Sequence, residues 1–365
     1  VAGLCTAGSC SRGGVVQLTA GSTLELLAPV SASGASGGSY AGDGSGGEVA
    51  LDAEGGIALV AEVVLTGGDF STGGVFAARS SGDYAQKKGL VDVSGRADSS
   101  SGGSIRIAAG GQAILQGAHE ANGGVNGNAG TVQIVAEGDV LVAGDIKSSA
   151  NYPTGGIEIL SNQGGIEVAA DLQAAGTGAF GTGGVIGLYA VTGIDLDGAV
   201  LDASGGGENG LGGTVRLSSF QAIHASGGTR MLAGGDARED ALGEGGLVEL
   251  IACQVVVGPS SVLAAGGAAG GEVFIAASDG IALQSAAVSA EVDGLITVRY
   301  PSGALPDVSD TTFAPDPLLQ PSALVEVCPL PPPPPIGGSF RRGDCNASGG
   351  FDISDPVSLL NFLFS

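Results

Sequence analysis

Short apolar-x-apolar runs, each opened by a pair of glycines, return along most of this chain. Gly13-Gly14 precedes Val16 and Leu18, Gly46-Gly47 precedes Val49 and Leu51, and Gly102-Gly103 precedes Ile105 and Ile107. Gly212-Gly213, Gly245-Gly246 and Gly270-Gly271 open the runs Val215/Leu217, Val248/Leu250 and Val273/Ile275 in the same way. Looser copies stand at Gly73-Gly74, Ala129-Gly130, Gly155-Gly156, Gly183-Gly184 and Asp293-Gly294, giving a mean period of about 28 residues. A period of that length belongs to a stack of small units, none of which can bury its apolar face alone.

Within a unit, up to three short strands are separated by turns. The unit from Gly156 reads Ile157-Glu158-Ile159, a turn at 162–165, Ile166-Glu167-Val168, and a third run from Asp171 to Ala175. The next repeats it with Ile186/Leu188, Ile194-Asp195-Leu196 and Leu201-Asp202-Ala203. Alternation at period two places one face inward and the other in water. Three strands per unit predict an all-β parallel β-helix (β-solenoid) of about ten to eleven coils, roughly 50 Å long at the usual strand spacing. A β-sandwich is the competing all-β fold. Gly at the corners is expected to supply positive φ, and 32–45 and 76–101 are expected to be surface inserts. The outward residues of the first strand run Gln17, Ala50, Arg106, Gln133, Glu158, Gly187, Arg216, Glu249, Phe274 and Thr297, which sets Arg216 beside Glu249 as an opposite-charge pair. The domain reading is an N-terminal segment 1–12, a solenoid 13–300, an irregular cap 301–330, a polyproline linker 331–338 and a tail 339–365.

The coils resemble the solenoid shafts of bacterial secreted adhesins of the filamentous-haemagglutinin type, through phrases such as Gly-Thr-Val-Arg-Leu at 213–217 and Gly-Glu-Val-Phe-Ile at 271–275. That resemblance implies an extracellular structural or adhesive shaft. The secretion domain of those adhesins is not evident, so their export route is not implied.

Composition narrows the partners. The 70 glycines show no three-residue period, which excludes a collagen-like chain. Aromatic residues make up 4% and Trp is absent, so the core must be a thin one of Val, Ile, Leu and Ala. A net charge of −24 excludes nucleic acid as a partner on electrostatic grounds. It suits divalent cations or a salty medium. No run approaches the ~20 apolar residues of a membrane helix. The chain opens on Val1 with no signal-peptide pattern and reads as a processed, secreted product of the extracellular space or cell surface. Of five cysteines, Cys5 with Cys10 and Cys328 with Cys345 are possible disulfides, and Cys253 is expected to be a buried thiol.

After the stiff spacer Pro331–Pro335 the sequence runs from Asp344 to Asp355 with oxygen-bearing residues at alternate positions. Asp344, Asn346, Ser348, Asp352 and Asp355 stand at positions 1, 3, 5, 9 and 12 of a calcium loop, Gly349 at the turn and Gly350 offering its carbonyl at 7. Pro356 then opens an apolar helix, 357–364. This resembles one calcium-binding half of a type I dockerin, which places Asp at position 12. Dockerins carry two halves and this chain one, so partner binding of that family's kind does not carry over. The tripeptide Arg342-Gly343-Asp344 and the sequon Asn346-Ala347-Ser348 overlap the loop and are absorbed by it.

Three functions follow. The first is a non-enzymatic extracellular subunit that polymerises head to tail, since a solenoid end without a cap leaves strand edges unpaired; calcium in the tail would latch it to its neighbour. The second is a monomeric adhesin or cell-surface stalk anchored through its tail, with contact to a cell surface or polysaccharide. The third is a β-helix polysaccharide lyase or hydrolase, for which Glu167 and Asp195, outward on adjacent coils, are the carboxylate pair. His119 and His224 are read as lying in unrelated contexts, and no Arg or Lys joins the carboxylates in register.

Overall fold

A computed structural model describes residues 12–34 and 44–322 except 97, 153–154, 208, 236–242 and 292, together with two-residue strands at Cys5–Thr6 and Ser9–Cys10. Two compact units divide the chain, Val1–Val327 and Cys328–Ser365, and every described residue belongs to the first.

The described chain is an all-β parallel solenoid. Each coil contributes a first strand of about six residues, such as Thr214–Ser219, then a second (Ala222–Ser226) and a third (Arg230–Leu232). Equivalent strands of successive coils pair in parallel and in register, as in Val215↔Val248↔Val273. The third strands alone form an 11-stranded sheet, one strand per coil. Parallel pairing follows from the repeat: a strand meets its equivalent only after a whole coil has been traversed.

The interior consists of columns. One runs Leu18, Leu51, Ala78, Ile107, Ile134, Ile159, Leu188, Leu217, Leu250, Ile275, Val298 and Leu319, each residue the direct partner of the next. Branched aliphatic side chains suit both the pleated strand and the narrow interior. Each fully buried Ile or Leu contributes about 1.5–3 kcal/mol relative to exposure.

The structure corrects four expectations. Residues 76–101 are not an insert but a complete coil, with strands Val75–Ser80, Tyr84–Gln86 and Leu90–Asp92; Phe76 is fully buried between Val49 and Ile105, and Tyr84 between Ile57 and the small Ala113. Nor does the solenoid stop near 300. Thr312–Ala314 joins the third-strand sheet, and Leu318–Ser322 pairs with Leu295–Pro301, so the expected irregular cap carries on the ladder through 322. In the later coils, Leu247–Val257 and Glu272–Leu283 run through the first corner as continuous strands, their pairing shifting register between Ala252 and Gln254. Cys253 sits at that shift, half-buried and disulfide-bonded rather than a buried thiol. A bulge aims a side chain out of the regular alternation, which is why an apolar strand reading misplaced it. Cys5 and Cys10 are direct partners in a short antiparallel pair.

The fourth correction concerns the glycine pairs. Among the six clear pairs, only Gly270 has positive φ. The need is instead for close approach. The Ala203 carbonyl, ending one coil, accepts a hydrogen bond from Gly213 N at 2.9 Å as the next coil begins, and a Cβ on Gly213 would lie 2.6 Å from that same oxygen. Gly47 N to Ala32 O, Gly74 N to Leu65 O and Gly246 N to Ala233 O repeat the closure. Gly156 differs, with its nearest would-be Cβ neighbour, Val185 O, at 3.6 Å. Gly213→Ala is therefore expected to lower stability by about 1–3 kcal/mol through overpacking. Gly156→Ala should raise it by about 0.4–1 kcal/mol by restricting the unfolded chain. Thermal or urea unfolding of the two variants checks the contrast.

Candidate functional site

The second strands place the expected carboxylates together. Glu167 on Gly165–Val168 is the direct partner of Asp195 on Gly193–Asp197, as the sequence spacing predicted. The next residue in the same outward column is His224, which the sequence reading had set apart. Its Nδ1 lies 3.1 Å from Asp195 Oδ1. The column is bounded by Leu141 on one side and Val256 on the other. A carboxylate–imidazole pair beside a second carboxylate has the chemistry of proton transfer. Its surroundings do not favour that use, because the Asp195 and His224 side chains are 67% and 50% exposed. Water then screens the pair, and its contribution falls in the range of a surface ion pair, about 0–1 kcal/mol.

The first-strand column carries the remaining outward chemistry. Arg216 Nε contacts Glu249 Oε2, the pair anticipated from register, and the carboxylate holds the guanidinium pKa above its ordinary value. Gln133 Nε2 donates to Glu158 Oε2 at 2.9 Å, one coil to the next. Arg299 sits over the Phe274 ring at 5.1 Å, a cation–π contact.

Sequence reasoning missed a set of corner residues. Asp92 Oδ1 accepts from Ser94 N and Asp202 Oδ1 from Ser204 N, each at the end of a third strand, and Asp307 Oδ1 accepts from Ser309 N after the second-strand position of the last coil. Asp83 and Asp139 instead accept from the next coil, from Gln112 N and Gly165 N. The signal was present as a recurring Asp-x-Ser, and its role is local turn-making. Part of the acidic composition is thus spent on corners rather than on a ligand.

His119 occupies an inward position of the third-strand ladder between Val91 and Ile146 and is fully buried. Neither ring nitrogen has a hydrogen-bond partner. Burial pushes its pKa down to about 4, the nearby Gly117 backbone opposing part of that shift. Tyr84 Oη and Gln86 Oε1, inward on the second strand one coil earlier, are also buried without partners. Burial pushes the Tyr84 phenol up.

No group of three or more His, Cys, Asp or Glu able to hold a metal occurs among the described residues. The calcium ligands expected from sequence, Asp344, Asn346, Ser348, Gly350, Asp352 and Asp355, lie outside the described residues, as do Cys328 and Cys345. Among the described residues no helix is long and apolar enough to cross a membrane. No family model, curated protein or solved structure matches the chain.

The buried imidazole gives a pH prediction with a definite sign. An unfolded His takes up a proton near pH 6.5, whereas His119 in the fold resists it until about pH 4. Stability is therefore expected to fall as pH drops through that window, by on the order of 3 kcal/mol. His119→Val, matching its column neighbours, should remove that portion of the acid loss. Urea midpoints of the two proteins between pH 4 and 7 measure it.

Proposed function

We propose that this chain is an extracellular structural subunit whose solenoid stacks end to end with further copies. One observation carries the reading. The inward column described above is dry along its length and wet at both ends: Leu51 is 2% exposed, whereas Leu18 at one end is 36% exposed and Leu319 at the other 42%. Val15 and Leu27 add exposed apolar surface to the first coil, and Leu318 to the last. Both ends belong to the same parallel ladder and present strand edges one rung apart in kind. A second copy set on the end would continue the column and pair the open edge.

The half-dockerin-like loop fits this reading as a latch. Its oxygen-bearing residues would hold calcium, whose chemistry there is to fix a loop rather than to react. The resemblance to filamentous-haemagglutinin shafts points the same way, toward a secreted rod. In this reading the strip formed by Glu167, Asp195 and His224 is solvated surface rather than a catalytic pair.

Light scattering and negative-stain electron microscopy test the proposal, with calcium and again after a chelator. Filaments or large species are expected in calcium, shortened by the chelator. Leu18→Glu with Leu319→Glu should abolish them in both conditions while leaving the monomer folded. Monodisperse monomers in calcium and chelator alike would remove the reading.

A further inference from the structure

The outward face of the first ladder carries a feature that stacking does not use. At Gly187 the column of outward side chains breaks, between Glu158 and Arg216. The Tyr189 ring lies across the gap: a Cβ on Gly187 would fall 2.8 Å from Tyr189 Cε2 and 3.0 Å from its hydroxyl oxygen. The ring is thus laid on the sheet with one face against backbone, and the residue remains half-exposed. Arg216 sits against the Tyr189 hydroxyl. On either side are two shallow depressions of about 330 and 470 Å³ that share Glu158 and Tyr189 in their walls. Arg106 and Gln133 line the first, Phe220 the second. Phe220 is 49% exposed although large and apolar.

The chemistry of this groove selects its ligand. Phe274, further along the same column, has its ring covered by Arg299; among the described residues no such cation covers Tyr189. An aromatic face kept open beside amide and carboxylate groups suits a partner with an apolar ring face and hydroxyls at its rim. Formal charge in the groove's lining cancels, Arg106 against Glu158, and the neighbouring Arg216 is paired with Glu249. The whole chain carries −24, which repels polyanions. An added peptide strand is disfavoured because the backbone beneath is already paired from coil to coil. Rungs about 4.8 Å apart repeat along the groove, so an extended polymer meets equivalent positions in succession. We propose that this groove, from Arg106 to Phe220, binds an extended neutral polysaccharide, with one sugar ring stacked on Tyr189.

Affinity electrophoresis tests this on the full chain, in gels containing laminarin, xylan, glucomannan or hydroxyethyl cellulose, with alginate and heparin as acidic counterparts. At least one neutral polymer should retard the protein. Tyr189→Ala should weaken that retardation by about tenfold or more, Tyr189→Phe should keep it, and Gly187→Val should reduce it by displacing the ring. Unfolding midpoints confirm that Tyr189→Ala and Tyr189→Phe remain folded. Retardation by none of the neutral polymers, retardation by the acidic ones alone, or undiminished retardation of Tyr189→Ala would each overturn the assignment. Assembly in calcium is followed separately and should be unchanged in the Tyr189 variants, so failure of binding and failure of stacking are distinguishable.

Discussion

Backbone pairing between successive coils, in register and at one-rung spacing, is the constraint on which the rest depends. Once Val215, Val248 and Val273 are direct partners, their side chains must stack, and the inward positions of every strand become continuous columns. The same pairing carries outward residues into columns, which brings Arg216 to Glu249 and Asp195 to His224. It also sets what the corners tolerate. The carbonyl that closes each coil occupies the space a side chain would need at the following glycine, as Ala203 does at Gly213. Glycine recurs because backbone meets backbone there, not because the chain must turn left-handed.

A column has no natural end, and among the described residues this one is partly exposed at both Leu18 and Leu319. Interior surface is produced coil by coil, and each coil dries its neighbours; the first and last described coils pair with a described coil on one side only. The assembly reading is the extension of that packing rule to a second molecule. The glycan reading uses the opposite side of the same strands, where the rule leaves side chains free to vary. Gly187, a small residue in an outward position, exchanges a protruding side chain for a seat under Tyr189.

Much of the fold was legible in the sequence because pairing at a fixed period leaves a fixed signature. The outward series from Gln17 to Thr297 follows the observed register except that it passes over Ala77, which stands between Ala50 and Arg106, and Glu167 was correctly set beside Asp195. What escaped did so for local reasons. Phe76 and Tyr84 broke the aliphatic composition of the columns without breaking their geometry, so a regular coil looked like an insert. The last coils lost the pattern because Leu318 and Leu319 are adjacent and the second-strand position is reduced to a single bridge, Ala282 with Asp307. His224 escaped although it lies one coil from Asp195, the same separation that set Glu167 beside Asp195. His119 escaped because a polar residue inward in an aliphatic column carries no periodic signal. The calcium loop was read from ligand spacing alone, and its residues fall outside those the structure describes.

Cross-linking of paired cysteines measures the register itself. Arg106 and Gln133 are direct partners on adjacent coils, and Glu158 is one coil further. Adjacent rungs at about 4.8 Å lie within disulfide reach, and two rungs at about 9.6 Å do not. Under mild oxidation, followed by peptide mass spectrometry, the pair Arg106→Cys with Gln133→Cys should bond and the pair Arg106→Cys with Glu158→Cys should not. Failure of the first pair, or bonding of the second as readily as the first, would contradict the stacked-coil account.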